Sequence, residues 1–184
     1  RDVIELLCEK GINVNARTQN GMTPLQTACL EGVQENAKLL LDCGACVNLT
    51  DHDDKNSLHY ASASPRVNQV IIQVLAKEID LNAQDKVKTT ALHFACQAGV
   101  YDNVEMLLDC GASIDIADKN NHNVLHYAAA SKHVNRSIIE LLLDKGIDVN
   151  AQAKNGMTAL HIACLEGVYD NVEVLLDSGA SINI

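Results

Sequence analysis

Apolar residues along the chain come in short bursts rather than in one long stripe. Between Asn103 and Gly111 the run "NVEMLLDCG" spaces them as a helix does and then stops at glycine, the pattern of an amphipathic helix of about two turns closed by a left-handed residue. A shorter run, "TALHFAC" from Thr90, comes before it, and its leucine and alanine three apart mark the buried stripe of a second, tighter helix. Asn- and Asp-rich links such as "DVNAQAKNG" at Asp148 to Gly156 separate one helix pair from the next, which is turn chemistry.

This sentence of polar and apolar letters is repeated. "TPLQTAC" begins at Thr23, "NSLHYAS" at Asn56, "TALHFAC" at Thr90, "NVLHYAA" at Asn123 and "TALHIAC" at Thr158, and their leucines (Leu25, Leu58, Leu92, Leu125, Leu160) are 33, 34, 33 and 35 residues apart. A unit this small buries no core alone, so its stability has to come from stacked neighbours. The Thr or Asn that opens each run has a side chain able to accept first-turn amides and is the predicted N-cap. Pro24 stands at the first helical position, where no donor is missed. Gly11, Gly44, Gly111, Gly146 and Gly179 close the second helices.

The units alternate. The first, third and fifth share "AC-x-x-GV-x-x-N-x-x-x-LLD", whereas the second and fourth share "LHYA" followed by the longer "SASPRVNQVII" and "AASKHVNRSII", with the extra residues between the two helices. The opening "RDVIELLCEKGINVNA" from Arg1 copies "RSIIELLLDKGIDVNA" from Arg136 and so belongs to the even type. Glu78 occupies the place where the other units have their closing glycine. A left-handed non-glycine residue costs about 1 to 2 kcal/mol, so the sequence predicts unit two, which also carries Pro65, to be the weak unit and Glu78→Gly to stabilise it.

The "TPL" of Thr23–Leu25 and the "TALHFA" and "TALHIA" of units three and five resemble the T-P-L-H-x-A signature of ankyrin repeats, and the resemblance covers essentially the whole chain. It implies an all-α fold, an ankyrin-repeat solenoid of stacked helix-turn-helix units with protruding β-hairpin loops, whose concave face binds proteins and which has no catalysis of its own. One domain is expected over 1–184: a partial unit at 1–17, then units one to five at 18–50, 51–84, 85–117, 118–152 and 153–184. Both termini cut through the array, so the natural protein is expected to be longer at each end.

Composition narrows the function. Net charge is −10, which disfavours a phosphate-backbone partner and favours a basic or apolar protein or peptide. No apolar stretch is long enough to span a bilayer. Seven cysteines lying in apolar helical patterns suit reduced thiols and hence the cytoplasm or nucleus, with Cys29, Cys96 and Cys164 as small buried groups. Nothing calls for a cofactor, and the array is expected to be a monomer.

His59, His93, His126 and His161 recur one unit apart, too far to meet on one metal ion. The resemblance makes them structural, tying loop to helix, with Gln26 in the same role. Cys43 and Cys46 have C-x-x-C spacing, but unit five has Ser178 and Ser181 there, so the spacing follows from the repeat. Aromatic residues occupy two positions. Tyr60, Phe94 and Tyr127, with Thr27 and Ile162, resemble groove-facing residues and are candidate anchors, packing against one another being the alternative; Tyr101 and Tyr169 are expected under the next unit. Hairpin-tip residues, among them Met22, Lys55, Thr89, His122 and Met157, are further candidate contacts. Asn15, Asn82 and Asn150 resemble asparagines that an oxygen-dependent hydroxylase modifies in ankyrin arrays. Two functions fit: a recognition scaffold, or a structural spacer within a longer chain.

Overall fold

Each of the five predicted caps opens a helix: Thr23, Asn56, Thr90, Asn123 and Thr158 all have extended backbones and all form a capping box with the residue three positions on. In the computed structural model, which describes residues 10–66 and 68–183, they start the inner helices α1 (Pro24–Leu30), α3 (Ser57–Ala63), α5 (Ala91–Ala98), α7 (Val124–Ala129) and α9 (Ala159–Glu166). Outer helices follow as α2 (Gln34–Asp42), α4 (Gln69–Leu75), α6 (Tyr101–Asp109), α8 (Arg136–Asp144) and α10 (Tyr169–Asp177). The helix expected in the opening fragment falls on Arg1 to Glu9, outside the described residues.

Inner helices stack on inner helices and outer on outer, each outer helix also packing on its own inner partner. The leucines that set the period (Leu25, Leu58, Leu92, Leu125, Leu160) all enter one continuous core with Ile71, Ile72, Leu107, Ile138, Leu142 and Leu175. Small residues let the inner row close up: Ala61, Ala95, Ala128 and Ala163 are fully buried. None of the helices among the described residues is long and apolar enough to cross a membrane.

Two expectations change. No strand forms among the described residues; the projecting loops are tight turns, not strand pairs. In each, the first residue's N–H donates to the carbonyl four on (Asp51 to Lys55, Asp85 to Thr89, Asp118 to His122), and a fourth residue in the left-handed region donates back to the first. The second change concerns Glu78. It is not left-handed: positive φ among described non-glycine residues is confined to Asp54, Lys88 and Asn121, all at that fourth fingertip position. Helix α2 ends in a left-handed turn, with Gly44 N–H on Leu41 O and Ala45 N–H on Leu40 O. After α4 the chain instead continues right-handed, with Glu78 and Ile79 both donating to Leu75 O.

Backbone strain therefore sits at the fingertips. Where the fourth residue is Gly21 or Gly156, the loop opens with Thr18 or Ala153; where it is not glycine, the loop opens with an aspartate whose Oδ1 takes two amides, as Asp85 does from Val87 (3.0 Å) and Thr89 (2.8 Å). Those charge-assisted bonds offset the left-handed cost. Lys88→Gly is expected to raise stability by about 1 kcal/mol, while Glu78→Gly, which only loosens a right-handed turn, is expected to be neutral or destabilising by up to about 1 kcal/mol. Urea midpoints of the two variants decide this; a stabilising Glu78→Gly would return the strain to unit two.

Candidate functional site

Two of the recurring histidines, His59 and His126, act as bolts; His93 and His161 keep the cap bond through Nδ1, but His93 Nε2 is buried without a hydrogen-bond partner. His59 Nδ1 accepts the Asn56 amide (3.1 Å) while its Nε2 meets Thr89 O at 3.2 Å in the next loop, which assigns the proton to Nε2. His126 repeats this with Asn123 and Met157 O. Gln26 has the same role, accepting the Thr23 amide and donating to Leu49 O and Lys55 O. Burial lowers the pKa of His59 and His126, and brings His93 down to about 4. Neutral imidazole is thus built into the stack. Among the described residues no three His, Cys, Asp or Glu side chains are grouped as a metal site requires.

Beside the bolts runs the aromatic row. Tyr60, Phe94, Tyr127 and Ile162 are all half-buried and Thr27 is exposed, so each presents one side to the stack and one to solvent. Phe94 stands edge-on to His59 at 5.8 Å, and Tyr127 edge-on to His93 at 4.9 Å. The tyrosine hydroxyls are fixed: Tyr60 donates to Asp51 Oδ2 and Tyr127 to Asp118 Oδ2. Burial tends to raise both aspartates, but amide and side-chain hydrogen bonds outweigh it and hold them below the usual carboxylate value. In unit three phenylalanine replaces tyrosine, and Lys55 Nζ lies 5.1 Å from the Phe94 centroid, a cation–π contact.

The expected fingertip contacts divide. Met22, Lys55, His122 and Met157 are half-buried and border this row. Thr89 is only 2% exposed and its carbonyl serves His59, so it is closed to a partner. His122 sits 3.3 Å from Asp118 and edge-on to His126. With Gln97, Tyr127 and Ile162, it lines a recess of about 300 Å³ on the row.

Asn15, Asn82 and Asn150 are staples. Their Oδ1 atoms accept Cys46 N–H (2.8 Å), Ser113 N–H (2.9 Å) and Ser181 N–H (2.7 Å) of the following unit. Cys29 and Cys96 are buried, burial pushing Cys29 up to about 12 and Cys96 higher still. Cys164, expected to be buried, is exposed, since no described unit follows α9. Cys43 is disulfide-bonded while Cys46 is free. That departs from the expectation of seven reduced thiols. Tyr101 and Tyr169 are not covered either: they are 36% and 73% exposed, and Tyr101 donates to Glu105 on its own helix.

The polar feature that sequence reasoning missed is a buried asparagine ladder. Asn68, 1% exposed, donates through Nδ2 to Cys29 O of unit one and Ala61 O of its own unit, both at 3.1 Å. Its amide donates to Asn103 Oδ1 of unit three at 2.9 Å, and Asn103 Nδ2 returns to Arg66 O. Asn135 and Asn171 repeat the scheme across units three, four and five. Each even loop is thereby clamped by the odd units on both sides, which accounts for the alternation. The loop comes so close that a Cβ on Gly99 would lie 2.7 Å from Asn135 Oδ1.

The chain matches the family model described as "Ankyrin repeats (3 copies)" over residues 1–85, 58–153 and 92–184. It is 32% identical over 141 residues to Neurogenic locus notch homolog protein 1 of Danio rerio and 31% identical over 139 residues to Neurogenic locus notch homolog protein 2 of Homo sapiens. Each alignment takes in 75% of this chain and 6% of the relative. It is also 34% identical over 136 residues to the Putative ankyrin repeat protein FPV244 of Fowlpox virus (strain NVSL), covering 74% of this chain and 20% of that protein. The chain thus spans a small part of the length of these relatives.

Proposed function

Because the chain belongs to the ankyrin-repeat family, whose repeats are protein–protein interaction modules, we propose that it holds a protein or peptide partner along the aromatic row and the adjoining fingertips. The observation that carries this is the row itself. Tyr60, Phe94, Tyr127 and Ile162 are half-exposed at one repeat position, with the tyrosines fixed by Asp51 and Asp118. Aromatic side chains that are already immobilised lose little entropy on binding and are the usual hot spots. A basic and apolar segment suits this surface, the chain carrying a net charge of −10. The partner lies over units two to four, with Met22, Lys55, His122 and Met157 at its margin. An interface of this kind buries about 800 Å² per side.

The same reading makes the chain a monomer of one partial and five full units, without catalysis, nucleic-acid binding or membrane insertion, working in the cytoplasm or nucleus. The test is calorimetric titration of a partner recovered by affinity capture. Tyr60→Ala, Phe94→Ala and Tyr127→Ala are each expected to weaken binding by about 1 to 2 kcal/mol, while the tyrosine-to-phenylalanine variants keep most of it. Unchanged affinity in all three alanine variants, with the fold intact, would assign the row to packing and favour the spacer role.

A further inference from the structure

We infer that the fingertips of units three to five form a basic rail for an acidic protein segment whose carboxylates recur at every third residue. The inference rests on the chain's being an interaction module and adds a second surface to it, distinct from the aromatic row. Lys86, Lys119 and Lys154 occupy the same fingertip position in successive units, and Lys88 joins them; all four are exposed. No exposed carboxylate lies on these three fingertips. Asp85 is 6% exposed and the Asp118 side chain 6% exposed, both consumed by fingertip amides. Among the described residues the four lysines form no ion pair; Lys86 Nζ donates to the carbonyl of His52. The rail has a defined end, because the fingertip of unit two presents exposed Asp53 and Asp54 instead.

The lysines are held in register by the backbone. Lys86 N–H donates to Asp53 O (3.0 Å), Lys119 N–H to Val87 O (2.9 Å) and Lys154 N–H to Asn120 O (2.9 Å), so each fingertip is bonded to the one before it. Stacked helical units are about 10 Å apart. A polyproline II chain advances about 9 Å per three-residue turn, and so returns a side chain to the same face once per unit. An acidic residue at every third position meets Lys86, Lys119 and Lys154 in turn.

A nucleic-acid strand is the competing polyanion. It is disfavoured because the outer helices of the same units carry Asp102, Glu105, Asp109, Glu140, Asp144, Asp170, Glu173 and Asp177, which repel a long polyanion but not a short segment confined to the rail.

The experiment titrates this chain with a fluorescent peptide of sequence E-P-P-E-P-P-E-P-P-E, with a peptide of the same composition whose glutamates are clustered, and with a single-stranded oligonucleotide of equal charge. Expected results are tightest binding of the spaced peptide and at least tenfold weakening by the combined Lys86→Glu, Lys119→Glu and Lys154→Glu variant. No change is expected from Lys38→Glu on α2 with Lys145→Glu at the C-cap of α8. Absence of peptide binding, equal binding of the clustered peptide, insensitivity to the rail reversal, or tighter binding of the oligonucleotide would each overturn the rail. All four leave the role of the aromatic row to its own titration.

Discussion

Asn68→Ala is expected to remove about 3 kcal/mol of folding stability, a large share of what a domain of this kind possesses. The side chain is 1% exposed, and its two Nδ2 bonds satisfy Cys29 O and Ala61 O. Truncation leaves Ala61 O buried without a donor, at about 1 to 3 kcal/mol before any water enters, and takes one of two donors from Cys29 O, which keeps the Gly32 amide at 3.2 Å. Asn68→Asp is expected to be at least as harmful, since a carboxylate presents acceptors to those same carbonyls. Asn103→Ala acts from the other side, orphaning the Asn68 amide and Arg66 O. Asn36 stands in unit one at the sequence position of Asn103, but its side chain makes no hydrogen bond among the described residues and is only half-buried; Asn36→Ala is expected to cost less than about 1 kcal/mol. Urea denaturation of the four variants is the measurement. Losses at Asn68 and Asn103 no greater than at Asn36 would show that the ladder does not couple the units.

Stability is expected to fall by about 3 kcal/mol on His93 alone between neutral pH and pH 4. In the unfolded chain this histidine titrates near 6.5, whereas burial holds it at about 4 in the fold. Between those values the unfolded state takes up a proton that the folded state refuses, so its contribution is complete above about pH 6.5 and is lost as pH falls toward 4. His59 and His126 are displaced in the same direction and add to the slope. Asp51 and Asp118, held low by their hydrogen bonds, lose their contribution only below the ordinary carboxylate range. Gln26 occupies the same position in unit one with a side chain that closes the capping box and does not titrate, so His93→Gln is the natural variant. It is expected to match the parent near pH 7 and to exceed it near pH 4.5, with a flatter profile of unfolding free energy against pH. Parallel profiles would mean that the buried imidazole carries no part of the acid sensitivity.

The repeat, the caps and the helix pairs were legible in the sequence because each depends on residues three or four apart. A Thr or Asn followed three positions later by His or Gln closes a capping box whatever surrounds it, and five copies in register leave no other period open. The alternation of unit types was legible too, but not its cause. Asn68 and Asn103 are ordinary letters in "RVN" and "GVYDN", and their bond spans 35 residues. The Asp51–Tyr60 and Asp118–Tyr127 pairs, nine residues apart, left a visible signal in the "LHYA" units that spacing arguments can use.

What only tertiary structure decided is where the chain meets itself across units. Glu78 looked strained by alignment, yet a right-handed turn relieved it, and the left-handed cost moved to Asp54, Lys88 and Asn121. Thr89 looked like a contact residue and is buried under its neighbour; Tyr101 looked buried and lies open. Sequence by itself determined the unit and its ends, since capping and periodicity are local. It did not determine the exposure of Thr89, Tyr101 and Cys164 or the backbone bonds between fingertips, because both are set by how the next unit docks, and that depends on bonds between residues about one full repeat apart.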